Sequence, residues 1–479
     1  MFAKVISGTP YGVEAKLVEV QCDVGPGLPG FAIVGLAEKE VSEARERVRS
    51  ALRNAGLPFP GTRITANLAP ADLKKEGVGL DLALAVALLV AMEEVPQERV
   101  EGLAFYGELA LDGALRPVRG TLAVALAARS AGLRGVVLPA AAAREAALVE
   151  GLSAYGARDL SEVVGFLTGQ RDLPPAPREL PPEAPPRWLD LRLVRGQEHA
   201  RRALEIAAAG GHNLLMVGPP GAGKSLLARC LPGILPELSF PEALEVTRIY
   251  SVAGLLAPER PLMRQRPFRS PHHTISYAGM VGGGHGVPTP GEITLAHHGV
   301  LFLDELPEFD RKVLEALRQP LEDRRITVVR AGVAVTFPAS FTLVGAMNPC
   351  PCGHLGDPLR PCRCRPHEID RYRKRISGPF LDRIDLFVPL PRLTREELLG
   401  DGTGESSQSV RARVCAARAR QAERYGQPGK TNAELGPQEI EHHCRLSLEG
   451  KRLLARAIDH FALTGRGYVR VLKVARTIA

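Results

Sequence analysis

The stretch Gly218-Pro219-Pro220-Gly221-Ala222-Gly223-Lys224-Ser225 places glycine, lysine and hydroxyl at the spacing G-x-x-x-x-G-K-[ST]. Glycines at those positions let backbone N–H groups wrap a polyphosphate, and a following helix points its positive end at the anion. Lys224 adds a charge beside the β- and γ-phosphates, and Ser225 can ligate Mg2+. The flanks suit this chemistry. Apolar Leu214 to Val217 reads as the strand before the loop, and Leu226 lies in the helix-forming run after it. ATP and Mg2+ are therefore the expected ligands.

A second apolar run, Val300 to Leu303, ends in Asp304 and Glu305. Asp304 would hold Mg2+ through water, and Glu305 would orient and polarise the attacking water. A third strand-like run, Phe341 to Ala346, leads to Asn348, whose amide could hold the same water or the γ-phosphate. A simple turn before Pro349 is the alternative there.

Cys350, Cys352, Cys362 and Cys364 read C-x-C, nine residues, C-x-C. Four thiolates on one short loop fit tetrahedral Zn2+ by count and softness. Free thiols are the alternative, and His354 and His367 are further donors. The alternation from Ile326 to Phe337 around Gly332 predicts a β-hairpin with Arg330 at its tip. Arg330 could follow a line of phosphates or simply be solvated. Residues 360–383 carry Arg360, Arg363, Arg365, Arg371, Arg373, Lys374, Arg375 and Arg383 against three acids. That run suits DNA, a neighbouring subunit or a solvated face.

These residues need a multidomain frame. The chain has 479 residues, enough for two to four domains, and a globular composition. Eight cysteines do not make a disulfide scaffold at this length. There is no secretory h-region and no apolar run long enough to span a bilayer, so a soluble cytoplasmic protein is expected. Residues 1–170 hold 17 Lys and Arg against 20 Asp and Glu, so the excess of positive charge lies in the remainder. That half is the candidate for a polyanionic partner.

Seven prolines in residues 173–186 predict a stiff linker within 171–190. The polar, Gly/Ser-rich residues 400–409 predict a softer break, within a connection over 393–408. The expected units are therefore 1–170, 191–392 and 409–479. In the first, Ile64 to Leu68 and Gly135 to Leu138 read as strands, and Asp81 to Met92 and Ala123 to Ala131 as helices, giving a mixed α/β unit. The last unit has helical periodicity around 409–425, 448–461 and 468–479.

The motifs together resemble the YifB/ComM family of magnesium-chelatase-like AAA+ ATPases. The resemblance rests on the phosphate loop, FRSPHHTISYAGMVGGG (268–284), PGEITLAHHGVLFLDELPEF (290–309), MNPCPCGH (347–354), SGPFLDRIDLFV (377–388) and YVRVLKVARTIA (468–479). It implies an AAA+ core with a parallel sheet, a small all-α lid, a homo-hexameric ring and a motor that works on single-stranded or branched DNA. It also implies roles: Asn348 as sensor 1, Arg383 as an arginine finger acting on a neighbour's γ-phosphate, and Arg466 as sensor 2, with Arg470 second in line. Val194 to Gln197 resembles the segment that packs on the adenine side, which puts Gln197 among the cofactor-binding residues. In this clade the hairpin carrying Arg330 points into the ring pore, and residues 276–291, with His285, form an insertion near it. His272 and His273 belong to the family motif without an evident role. The family continues past VARTIA, so the lid is expected to be incomplete here.

Residues 64–89 and 106–133 resemble the Lon-protease-type domain. Gly79 stands where that domain has its nucleophilic serine, and Leu122 at or beside its lysine. Neither can do that chemistry, so a protease-like fold without protease activity is expected. An ATP-dependent DNA motor promoting branch migration in recombination or natural transformation is the function implied. A chelatase-like ATPase that remodels a protein partner is the alternative.

Overall fold

The computed structural model describes residues 1–179, 188–284, 286–330, 332–399 and 404–479. The centre of the proline-rich stretch (180–187), His285, and residues 400–403 of the Gly/Ser-rich break lie outside the described residues.

Two sheets organise the chain. The first has seven strands in the order Gly30–Val34, Arg63–Ala69, Glu14–Gly25, Phe2–Tyr11, Leu103–Phe105, Gly135–Pro139, Ser153–Ala157. The long N-terminal hairpin was not anticipated, although its alternation is present in the sequence. Val18, Val20, Cys22 and Val24 are buried, while Glu19, Gln21 and Asp23 between them are not. The last three strands join in parallel. Helix Asp81–Ala91 packs on the hairpin strands and is buried at every position. That explains its sequence, which has no polar face.

Burial extends to Asp81 in that helix's first turn. Arg47 grips it with two hydrogen bonds, Nε to Oδ2 at 2.6 Å and Nη2 to Oδ1 at 2.9 Å. The pair is bidentate and largely desolvated, so neither charge can be removed alone without penalty.

The second sheet has five parallel strands in the order Phe268–Arg269, Val300–Leu303, Thr342–Met347, Leu214–Val217, Leu386–Pro389. Its central strand, Thr342–Met347, is buried at all six positions, as a strand covered on both faces must be. Register brings Val217 beside Met347 and Leu303 beside Gly345. The chemistry-bearing residues that follow these strands thus emerge at one edge. At the opposite edge Asp385 accepts the Asn213 backbone N–H at 3.1 Å and meets His212, whose Nε2 lies 2.7 Å from Thr477 in the last helix.

The C-terminal region is helical: Ser407–Tyr425, Pro437–His443, Leu448–Phe461 and Gly465–Ile478. The first and last begin earlier than periodicity suggested, because Ser406 and Thr464 cap them by accepting the N–H of Ser409 and Gly467. Pro437–His443 is too short to carry a periodic signal. No helix among the described residues is long and apolar enough to cross a membrane.

Two stability predictions follow from buried charge. Arg47→Ala should cost about 3–5 kcal/mol by stranding Asp81. Arg47→Ala combined with Asp81→Leu should recover most of that in chemical denaturation. Burial pushes His297 down to about 4, with Glu245, His298 and Arg248 as its charged neighbours. The unfolded chain therefore takes up this proton first, and stability should decline as pH falls from about 6.5 toward 4. His297→Gln should flatten that slope.

Candidate functional site

The phosphate loop leaves Leu214–Val217 and enters helix Lys224–Ile234. Gly221 (φ +79°) and Gly223 (φ +93°) adopt the left-handed region, and a Cβ on either would meet nothing within 4 Å. The loop is thus an open cradle of backbone donors, as a polyphosphate requires. The Lys224 ammonium donates to the carbonyls of Gly218 (2.7 Å) and Pro219 (3.0 Å) and to Asn348 Oδ1 (3.0 Å). Burial lowers its pKa, against the pull of Asp304 and Glu305.

Ser225 Oγ donates to Asp304 Oδ2 at 2.6 Å. A hydroxyl and a carboxylate so placed are hard oxygen donors suited to Mg2+. Glu305 has φ +52°, and its own N–H caps Asp304 Oδ1 at 3.0 Å. A glutamate held in this conformation is strained, and such strain concentrates at working sites. Its carboxylate stays exposed, 3.4 Å from His273 Nδ1. Sequence reading gave His273 no role; its place in the SPHHT motif was the only signal, and the pairing spans 32 residues of chain.

Gln197 (φ +53°) is buried, and its amide donates to the carbonyls of Pro391 (2.7 Å) and Ala222 (3.3 Å). It ties the loop to the end of Leu386–Pro389. Pro219, Pro220, Ala222 and Leu226 complete the loop and the helix start.

Arg383 and Arg466 come together away from these residues. Both reach Glu322 Oε1, at 2.6 Å and 3.6 Å. Arg383 is folded inward, bonded also to the carbonyls of Arg318 and Pro379, and pairs with neither Asp382 nor Asp385. Arg466 is more than half exposed. Among the described residues neither contacts residues 218–226 of its own chain. Arg470 instead clamps the carbonyls of Leu381 and Ile384 and meets Asp382, a packing role.

The expected hairpin is present as Arg325–Arg330 and Val333–Pro338, with Arg330 opposite Val333. Val329 and Arg330 are exposed at its tip, while Val335 and Phe337 are buried at its base beside Val13 of the N-terminal hairpin. The four cysteines converge: the Sγ atoms of Cys350, Cys352 and Cys362 lie 3.4–3.7 Å apart, and all four within 4.8 Å of one another. Backbone N–H groups of Arg363 and His354 hold the Cys352 thiol down to about 6.

In the N-terminal unit a Cβ on Gly79 would lie 2.2 Å from the Tyr106 ring. Tyr106 is buried, and its hydroxyl donates to the Arg119 carbonyl at 2.7 Å. Leu122 is fully buried. Its N–H donates to Glu145 Oε1 at 2.8 Å, which also accepts Ser251 Oγ of the second unit at 2.5 Å. Burial raises the Glu145 pKa.

Comparison with known proteins places the chain among similar sequences. Sequence models described as magnesium chelatase, subunit ChlI, match residues 190–398. Others, described as subunit ChlI of Mg-chelatase and subunit ChlI C-terminal, match 18–142 and 404–479. Competence protein ComM of Haemophilus influenzae is 47% identical, the alignment covering 100% of this chain and 93% of that protein. Uncharacterized protein YifB of Escherichia coli is 47% identical over 98% of this chain and 91% of its own length. Lon protease 2 of Thermus thermophilus is 34% identical over 27% of this chain and 17% of that protein.

The Tyr106 contact makes a prediction against that last likeness. Gly79→Ser should not create peptidase activity on unfolded casein. It should destabilise the chain by about 1–3 kcal/mol, the usual cost of overpacking. Peptide cleavage by this variant would show that Tyr106 does not block the position.

Proposed function

The chain belongs to the YifB/ComM family of magnesium-chelatase-like AAA+ ATPases, and from that premise we propose that it is an ATP-driven DNA motor acting as a ring of six copies in the cytoplasm. The observation that carries the nucleotide half is the convergence of Lys224, Ser225, Asp304 and Asn348 within hydrogen-bond reach. Residues 218–226 and Gln197 bind ATP. Ser225 and Asp304 would hold Mg2+, which would neutralise charge on the phosphates. Glu305 orients the attacking water, and Lys224 and Asn348 hold the γ-phosphate.

The Arg383 contact with Glu322 supports a role for Arg383 in trans. The Arg383 guanidinium is held on Glu322 rather than on its own phosphate loop, which supports its reading as a finger for a neighbour's γ-phosphate, worth about 10³-fold or more, with Arg466 as sensor 2. The exposed Arg330 tip, on a hairpin with a packed base, supports contact with a DNA backbone in the pore. The relative named a competence protein supports a place in natural transformation, and branch migration there or in recombination is what the family resemblance implies. The N-terminal unit is a Lon-like fold without a peptidase role. A structural zinc on the four cysteines completes the cofactors. The chelatase descriptions favour a second reading, an ATPase that remodels a protein partner.

ATP hydrolysis with and without single-stranded and forked DNA, at two salt concentrations, separates these readings. DNA should stimulate turnover, more at low salt, because phosphate contacts release counterions. Turnover indifferent to every DNA would move the assignment to the protein-remodelling reading. Lys224→Ala should weaken nucleotide binding and Glu305→Gln should trap ATP; normal turnover by Glu305→Gln would sink the site. Arg383→Ala should abolish turnover and leave nucleotide binding intact. Arg330→Ala should lose DNA stimulation and keep basal hydrolysis.

A further inference from the structure

The loop from Cys350 to Cys364 takes no part in the hydrolysis described above, yet it touches the nucleotide site at three places. It begins two residues after Asn348. Gly353 (φ +81°) is so close to the phosphate loop that a Cβ there would lie 2.7 Å from Pro220 Cδ. Asp357, a half-buried residue whose carboxylate is covered, pairs with Arg392 at 3.0 Å, and Arg392 follows the Pro391 carbonyl that holds Gln197.

Little in the loop itself explains its shape. Residues 349–365 contain no helix or strand, and only Cys350 and Gly353 in them are buried. A loop without a core needs a cross-link to be held in place. Disulfides do not supply it, because the sulfurs lie 3.4–3.7 Å apart, well beyond the ~2.05 Å of an S–S bond. Those separations instead approach the tetrahedral edge of about 3.8 Å that follows from Zn–S bonds of about 2.3 Å. The fourth sulfur, Cys364, is oriented by the Cys352 backbone N–H at 3.3 Å.

The other metal-like cluster, Glu245, His297 and His298, fails the same test. The Ser340 backbone N–H donates to His297 Nδ1 at 3.0 Å. The ring proton therefore sits on Nε2 and points at Glu245, leaving no lone pair there for a cation.

We propose that Cys350, Cys352, Cys362 and Cys364 bind one zinc ion that braces Asn348 and Pro220, so that metal occupancy sets the rate of ATP hydrolysis and not the affinity for nucleotide. The ion is remote from the reaction in role. It fixes the loop, the loop presses on Pro220, and Asn348 keeps its amide oxygen on Lys224. This rests on the ATPase reading above, and zinc content is measured independently of it.

The test uses the full chain. Zinc is counted by elemental analysis, nucleotide affinity is read with a fluorescent ATP analogue, and turnover by phosphate release. Wild type should carry one zinc per chain. Cys362→Ser/Cys364→Ser should lose it and fall about 10–100-fold in kcat, the usual scale for losing a support around a functional group, with the dissociation constant essentially unchanged. Stripping wild type with a chelator should do the same, and Zn2+ alone should restore the rate, which keeps the test sound if the variant folds poorly. Cys415→Ser, at an exposed cysteine elsewhere, should match wild type. A chain purified without zinc that takes up none would overturn the site. Zinc-free protein at the full rate, or with nucleotide binding lost alongside turnover, would overturn the brace. Zinc-loaded protein with no hydrolysis at all would instead overturn the ATPase reading.

Discussion

The hydrogen bond from the Lys224 ammonium to the Asn348 amide oxygen joins the phosphate loop to the central strand of the sheet, and it exists because three parallel strands end at one level. Lys224 and Asn348 are 124 residues apart. The Val217–Met347 and Leu303–Gly345 pairings set how far each following residue projects beyond the sheet edge. A slip of one residue would turn every side chain of a strand to the other face and separate the lysine, the serine–aspartate pair and the amide. The burial of all six residues of Thr342–Met347 is what makes such a slip costly.

Around that edge the surrounding segments act as restraints. Gln197 ties the loop to Pro391, and Asp385, His212 and Thr477 tie the sheet's far edge to the last helix. Two residues of FLDRIDLF thus have different duties: Asp385 holds the fold, and Arg383 is kept on Glu322 with Arg466.

In the N-terminal unit, the neighbourhoods of Gly79 and Leu122 are given over to packing. Tyr106 occupies the space a serine side chain at Gly79 would need. The buried Glu145 carboxylate, held by Leu122 N–H, reaches across to Ser251. Val13 joins the core beneath the Arg330 hairpin. Leu122 and Glu145 are part of the joint between the two units, and burying Glu145 is tolerable because two donors satisfy it.

Local features were legible in the sequence. The phosphate loop, the apolar strands ending in Asp304 and Asn348, the hairpin around Gly332 and the apolar helix from Asp81 are each encoded by neighbours along the chain, through glycine spacing, alternation or the absence of a polar face. The N-terminal hairpin is equally local, written in the period-two pattern of Val18, Val20, Cys22 and Val24. Tertiary structure decided the rest: His273 against Glu305, Gly353 against Pro220, and Arg383 and Arg466 on Glu322. These contacts join residues from 32 to 144 positions apart, and their geometry follows from strand order and loop path. No spacing rule reports that, because it arises only when the crossovers have placed distant segments at one edge of the sheet.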